Sequence, residues 1–112
     1  MAAHQSRDSL ELWRRVLVES LRRGGPDLSQ RQLALLLTVY LTPPPHTVRG
    51  LAELLTVSKP AISRALDRLG MLDFARRRRE EADRRNVLVQ RTVKGAVFLH
   101  DFAALVAQAV RS

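Results

Sequence analysis

Leu51-Ala52-Glu53-Leu54-Leu55-Thr56-Val57-Ser58-Lys59-Pro60-Ala61-Ile62-Ser63-Arg64-Ala65-Leu66-Asp67-Arg68-Leu69 is the stretch that decides the fold. Its first part predicts a short helix N-capped by Thr47, with Leu51, Ala52, Leu54 and Leu55 on the inner face. Ser58 can cap a following helix, because a hydroxyl just outside a helix accepts one of the amides that the first turn leaves unpaired. Pro60 is tolerated in that first turn, and Gly70 is expected to close the helix. Ile62, Ala65, Leu66 and Leu69 recur at helical spacing and make its buried stripe. Two short helices joined by about three residues, the second basic on its outside, form a helix-turn-helix. The stripe leaves Ser58, Lys59, Pro60, Ala61, Ser63, Arg64 and Arg68 facing outward, with Ser63 and Arg64 in the middle of that side.

Upstream, Leu10, Trp13, Leu17 and Leu21, with Val16 beside them, predict an amphipathic helix over residues 8–23, ended by Gly24-Gly25-Pro26. Ser29 and Gln32 have capping-box spacing for a second helix. Leu33, Leu35, Leu36, Leu37, Val39, Tyr40 and Leu41 cover nearly all its faces, which places it at the centre of the core. Pro43-Pro44-Pro45 is a rigid break. Downstream, Leu72 and Phe74 lead into Arg76-Arg77-Arg78-Arg79, a polar segment follows, and Val87-Leu88-Val89 is apolar and β-rich, which predicts a hairpin with a charged tip.

Thr92 is expected to cap a last helix, over residues 93–111. There Val97, Phe98, Phe102, Leu105, Val106, Ala109 and Val110 occupy more of the circumference than one small domain covers. A second copy of the chain is the expected cover, with Leu10, Trp13, Leu17, Phe98, Phe102, Leu105, Val106 and Ala109 at the interface. The sequence contains no internal repeat, so residues 1–112 are expected to form a single domain, mainly α with a small β-hairpin wing. Residues 8–23 and 93–111 would be dimerisation helices flanking a 28–92 core.

The 112 residues carry 19 Lys and Arg against 11 Asp and Glu, a net charge of +8. Residues 59–94 hold 11 of those cations and 5 of the acids, so +6 of the excess lies in this third, and a polyanion is the first partner to consider. Apolar runs such as Leu33–Leu37 are far short of the roughly 20 residues that span a bilayer. No signal segment opens the chain and it has no cysteine, so a cytoplasmic protein without a membrane partner is expected. His4, His46 and His100 are scattered without zinc-ligand spacing, and there is neither a nucleophile motif nor a glycine-rich phosphate loop. No metal, cofactor or catalysis is expected.

Leu51–Leu69, followed by Ala82-Asp-Arg-Arg-Asn-Val-Leu-Val89 and Thr92-Val-Lys-Gly95, resembles the MarR family of winged helix-turn-helix regulators, in register from about Leu28 to Gly95. The flanking helices look like shortened versions of the family's dimerisation helices, and Thr56 stands where such turns often have glycine. The resemblance implies a homodimer on a pseudo-palindromic operator in double-stranded DNA, each second helix in a major groove and each wing beside a minor groove. It implies a transcriptional regulator, expected to repress, and leaves open a small-molecule effector that no residue marks.

Arg64 can donate two bonds to a guanine edge, and Ser58 and Lys59 suit phosphate at the helix start. Arg68 is a further groove candidate; the alternative is that Arg64 and Arg68 are solvated helix charges, one of them held by Asp67 in a surface pair. Asp83-Arg84-Arg85 matches the family's wing, in which an acid orients the arginine that enters the minor groove; both arginines fit. Successive arginines on a strand alternate faces; Arg77 and Arg79 are assigned to phosphate, the others to solvent or to Glu80 and Glu81. The same charge cluster also suits two other readings, a winged module that grips an acidic protein and a nonspecific architectural DNA binder.

Overall fold

The structure is a computed structural model that describes the backbone of residues 2–111 and the side chains of residues 5–111; Met1, Ser112 and the side chain of His4 lie outside the described residues. Among the described residues the chain forms α1 (Ala2–Arg22), α2 (Gln30–Leu41), β1 (His46–Thr47), α3 (Val48–Leu55), α4 (Lys59–Met71), β2 (Ala75–Arg79), β3 (Val87–Arg91) and α5 (Val93–Arg111). The fold is a winged helix-turn-helix with helices at both ends of the chain. It divides into two compact units, Leu28–Phe98 and the two terminal stretches.

In the winged unit, α2 starts on the expected capping box: Ser29 Oγ accepts from Gln32 N–H at 3.1 Å, and Gln32 Oε1 accepts from Ser29 N–H at 2.9 Å. Leu35, Leu36 and Val39 of α2 are buried along with Leu51, Ile62 and Leu69 of α3 and α4, so α2 is central. Leu54, expected inward, is 63% exposed. The helix is only eight residues long, so its inner face holds Leu51 and Ala52 and little more. The sheet has three antiparallel strands in the order β1-β3-β2, not a bare hairpin. β1 is two residues directly after the prolines, with His46 opposite Val89 and Thr47 opposite Leu88, too short to show alternation in sequence.

One hydroxyl ties the winged unit together. Tyr40 Oη, at the end of α2, accepts from Thr92 N–H at 2.8 Å and lies 2.8 Å from the Phe74 carbonyl oxygen and 3.0 Å from that of Thr92. It thus joins α2, the α4–β2 connection and the β3–α5 connection. Thr92 Oγ1 caps α5 as expected, accepting from Gly95 N–H at 2.9 Å, and donates to the Asp73 carbonyl at 2.6 Å. Arg91 closes the same end of α2, donating to the carbonyls of Val39 (2.9 Å) and Thr42 (3.0 Å), with its guanidinium 5.7 Å from the Tyr40 ring centre. Phe98 stacks on Phe74 at 4.5 Å.

In the terminal unit α1 begins at Ala2, earlier than the expected residue 8, since nothing in the first residues stops a helix. Gly24, at φ 70°, ends the run. Val16 is fully buried with Leu105 and Ala109, and Leu12, Phe102 and Val106 pack on that cluster. Leu10, Trp13, Leu17 and Leu21, the apolar row that defined the helix in sequence, are 70%, 49%, 45% and 64% exposed, and within one chain α1 packs through its Leu12–Val16 side. On the same helix Arg14 donates to Glu11 and holds that carboxyl below its usual range. α5 is also long and apolar enough to cross a membrane, although Lys94, His100 and Asp101 keep its uninterrupted apolar runs short. Its first turns are built into the winged unit, and Asp101 at mid-helix would cost about 3 kcal/mol at a bilayer centre.

A Cβ at Gly95 would overlap Tyr40 Oη and the Phe74 carbonyl oxygen. Gly95→Ala should therefore lower unfolding free energy by about 2–3 kcal/mol in urea melts followed by circular dichroism. Tyr40→Phe, which leaves the Thr92 amide unpaired, should cost about 1–2 kcal/mol, and an unchanged midpoint for either would refute the role given to this hydroxyl.

Candidate nucleic-acid interface

α3 and α4 end the same way. Val57 N–H reaches back to Ala52 O at 3.0 Å past Thr56 at φ 56°, and Phe74 N–H reaches back to Leu69 O at 2.8 Å past Asp73 at φ 59°. Each is a Schellman-type closure with a left-handed residue that is not glycine. Gly70 is therefore not the terminator that was expected; α4 runs through it to Met71, and Asp73 makes the turn. Asp tolerates that backbone region far better than a β-branched Thr.

The turn sets α4 with Ile62, Ala65, Leu66 and Leu69 inward, as the sequence implied. Ser58 caps it, its Oγ accepting from Ala61 N–H at 3.2 Å. Ala61, expected outward, is 5% exposed; it stands one residue before Ile62, and the core wraps around that edge of the first turn. Lys59, Pro60 and Arg64 are exposed, and Ser63 and Arg68 half-buried. With Asp67 they make a polar stripe opposite the core, near the i, i+4, i+8 spacing at which helix positions lie on one face. Among the described residues Lys59, Arg64 and Arg68 make no ion pair.

The strands use their arginines unequally. Arg77 lies opposite buried Val89 and so shares the helix-side face with Ala75, and its Nη2 donates to Asp67 Oδ1. Asp67 thus holds neither Arg64 nor Arg68. A signal existed in sequence: a strand arginine two residues after an inward Ala75 needs a carboxylate, and Asp67 is the acid on the preceding helix. Arg76 pairs with Asp73 at 3.2 Å, and Arg79 donates to the Arg84 carbonyl at 2.7 Å. Arg78 is exposed and outside these pairs. Glu80 accepts from Asn86 Nδ2 at 3.1 Å instead of meeting an arginine. At the tip, Asp83 Oδ1 accepts from both the backbone N–H (3.1 Å) and Nε (3.2 Å) of Arg85, so the oriented arginine is Arg85, while the Arg84 side chain stands exposed.

Of the residues expected between protomers, Leu10, Trp13 and Leu17 are open in the single chain. Phe98 is stacked on Phe74, and Leu105 and Ala109 close the small core with Val16, leaving Phe102 and Val106 half-buried at its margin.

Residues 28–87 match the family model described as MarR family. Among solved structures the chain is similar to MepR, as a mutant from a multidrug-resistant S. aureus clinical isolate, at TM-score 0.83 and 18% identity over 98% of this chain and 78% of that one. It is similar to YusO from Bacillus subtilis at TM-score 0.78 and 20% identity, covering 98% and 77%. The apo form of wild-type MarR from E. coli matches at TM-score 0.71 and 25% identity, covering 99% and 79%. The first two likenesses speak for the fold alone. No curated protein matches the chain.

A threonine held left-handed is strained by about 1–2 kcal/mol. Thr56→Gly relieves that strain but frees the unfolded chain, so the net expected gain is about 0.5–1 kcal/mol in the same urea melts. A loss of stability would mean that the turn needs the threonine side chain.

Proposed function

We propose, since the chain belongs to the MarR family of DNA-binding transcriptional regulators and is not an enzyme, that it represses transcription as a homodimer on a pseudo-palindromic operator in the bacterial cytoplasm. The observation that carries this is the polar stripe of α4, with Lys59, Arg64 and Arg68 outside the ion pairs formed among the described residues, above a fully packed Ile62 and Leu69. Cations left unpaired on a rigid helix face are available to base edges and phosphates without first breaking internal bonds.

In this reading Arg64 and Ser63 read bases in the major groove, with Arg68 at their margin. Ser58, Lys59 and Pro60 set the helix start against a phosphate. Asp83 presents Arg85 to the minor groove, where an arginine reads a narrow A·T-rich shape, and Arg84 stays with the backbone. Residues 28–92 are the DNA-binding part, and residues 8–23 and 93–111 the dimerisation helices. Leu10, Trp13 and Leu17 supply the open apolar contact, because burying them in one chain would need a partner that α5 does not provide.

Selection from random duplexes should enrich a palindrome. Arg64→Ala should relax base preference at one position per half-site, by about 1–3 kcal/mol of discrimination. Lys59→Ala should weaken all duplexes alike and lower the slope of log affinity on log salt by about 0.9 for each phosphate no longer neutralised. Enrichment of no sequence would leave only the architectural or protein-binding readings.

Trp13→Glu or Leu17→Glu should sediment as a folded monomer and lose more than tenfold in operator affinity, since the two half-sites are then engaged separately. Leu105→Glu should instead unfold the terminal helices, because its side chain is already buried within the chain. A dimeric Trp13→Glu variant would overturn the interface.

A further inference from the structure

The Arg77 and Asp67 side chains join the two elements that are to meet DNA. Asp67 stands on the outer stripe of α4, one turn beyond Ser63 and Arg64, and Arg77 is the middle residue of β2. Their ion pair spans ten residues of sequence. On β2 the apolar contact with the helices ends at Ala75, which is buried; the next helix-side residue is Arg77, and beyond it the strand leads only to the wing tip. From β2, then, the pair is the last hold on the angle between wing and helix.

We propose that Arg77 is a positioning residue and not a phosphate contact: paired with Asp67, it fixes the wing against the recognition helix so that Arg85 and Arg64 address adjacent grooves in one register. This rests on the DNA-binding reading for its purpose, but the brace itself is a property of the free protein. The pair has a second effect. Asp67 is a carboxylate among residues meant for a polyanion, and its side chain is 62% exposed. Arg77 offsets its charge and draws it toward the wing, away from the groove side of Arg64. Losing Arg77 would both loosen the wing and unmask a repulsive charge.

The chain has no cysteine, so Ala82→Cys places a single nitroxide label at the exposed wing tip. In this background Asp67→Asn and Arg77→Gln are each expected to raise label mobility, the double variant no further than either one, and the exchanged pair Asp67→Arg with Arg77→Asp to restore it. Affinity for the palindromic duplex that the unaltered protein enriches should fall about three- to tenfold in each single variant, with two pairs acting per dimer. The salt slope should stay unchanged, and the exchanged pair should recover most of the affinity.

Label mobility unaffected by Arg77→Gln would overturn the brace. So would a salt slope lower by about 0.9 per protomer in Arg77→Gln while Asp67→Asn binds as well as or better than the unaltered protein, since that is the behaviour of a group bound to phosphate. If no duplex is enriched but the label responds as described, the brace stands and the operator reading fails.

Discussion

The winged unit depends on where one tyrosine hydroxyl sits. Tyr40 Oη lies within 3.0 Å of three backbone groups, on Thr92 and Phe74, at the point where the chain enters the wing and leaves it. A core of aliphatic side chains is non-directional and would tolerate sliding of these connections. Hydrogen bonds to fixed backbone atoms do not. The hydroxyl therefore sets the distance from α2 to both ends of the hairpin, and the glycine at position 95 is the space this arrangement requires. Arg91 completes it by holding the last carbonyls of α2, so the helix that centres the core is also the fixed end of the wing.

Much of this was legible in the sequence, and unevenly so. The buried stripe of α4, the capping residues Ser29, Thr47, Ser58 and Thr92, and the span of α5 follow from periodicity and local chemistry, which act over three or four residues. What escaped depends on distant partners. β1 is a strand only because β3 lies beside it, and Ala61 is inside only because the core reaches that edge of the first turn. The end of α4 was misplaced because glycine is the usual left-handed residue, and here Asp73 takes the role three residues later. On α1 the row Leu10, Trp13 and Leu17 was read as a face for a second copy, whereas the packing of Leu12 and Val16 within the chain went unread, because a helix with apolar residues on two sides does not say which side its own chain covers.

The basic cluster divides in the same way. Its total charge pointed to a polyanion, yet three of the four arginines in β2 are engaged inside the chain, with Asp73, Asp67 and the Arg84 carbonyl. In that cluster the cations outside such bonds are Lys59, Arg64 and Arg68 on α4, together with Arg78, Arg84 and Lys94. Composition thus identifies the class of partner, whereas pairing identifies the surface. In the wing, a side chain that looks available in sequence can be holding the hairpin in shape, and that holding is what gives the free arginines a defined direction.

The chain has a single tryptophan, and it stands half open on α1, in the unit made by the chain termini. No indole belongs to the winged unit. Intrinsic emission at long excitation wavelengths thus watches only the terminal helices, while the α2–β3 scaffold around Tyr40 is spectroscopically silent there. A denaturation curve recorded by fluorescence follows the terminal unit alone, whereas far-ultraviolet ellipticity sums the helices of both units, so a gap between the two curves would mean that the units do not unfold together.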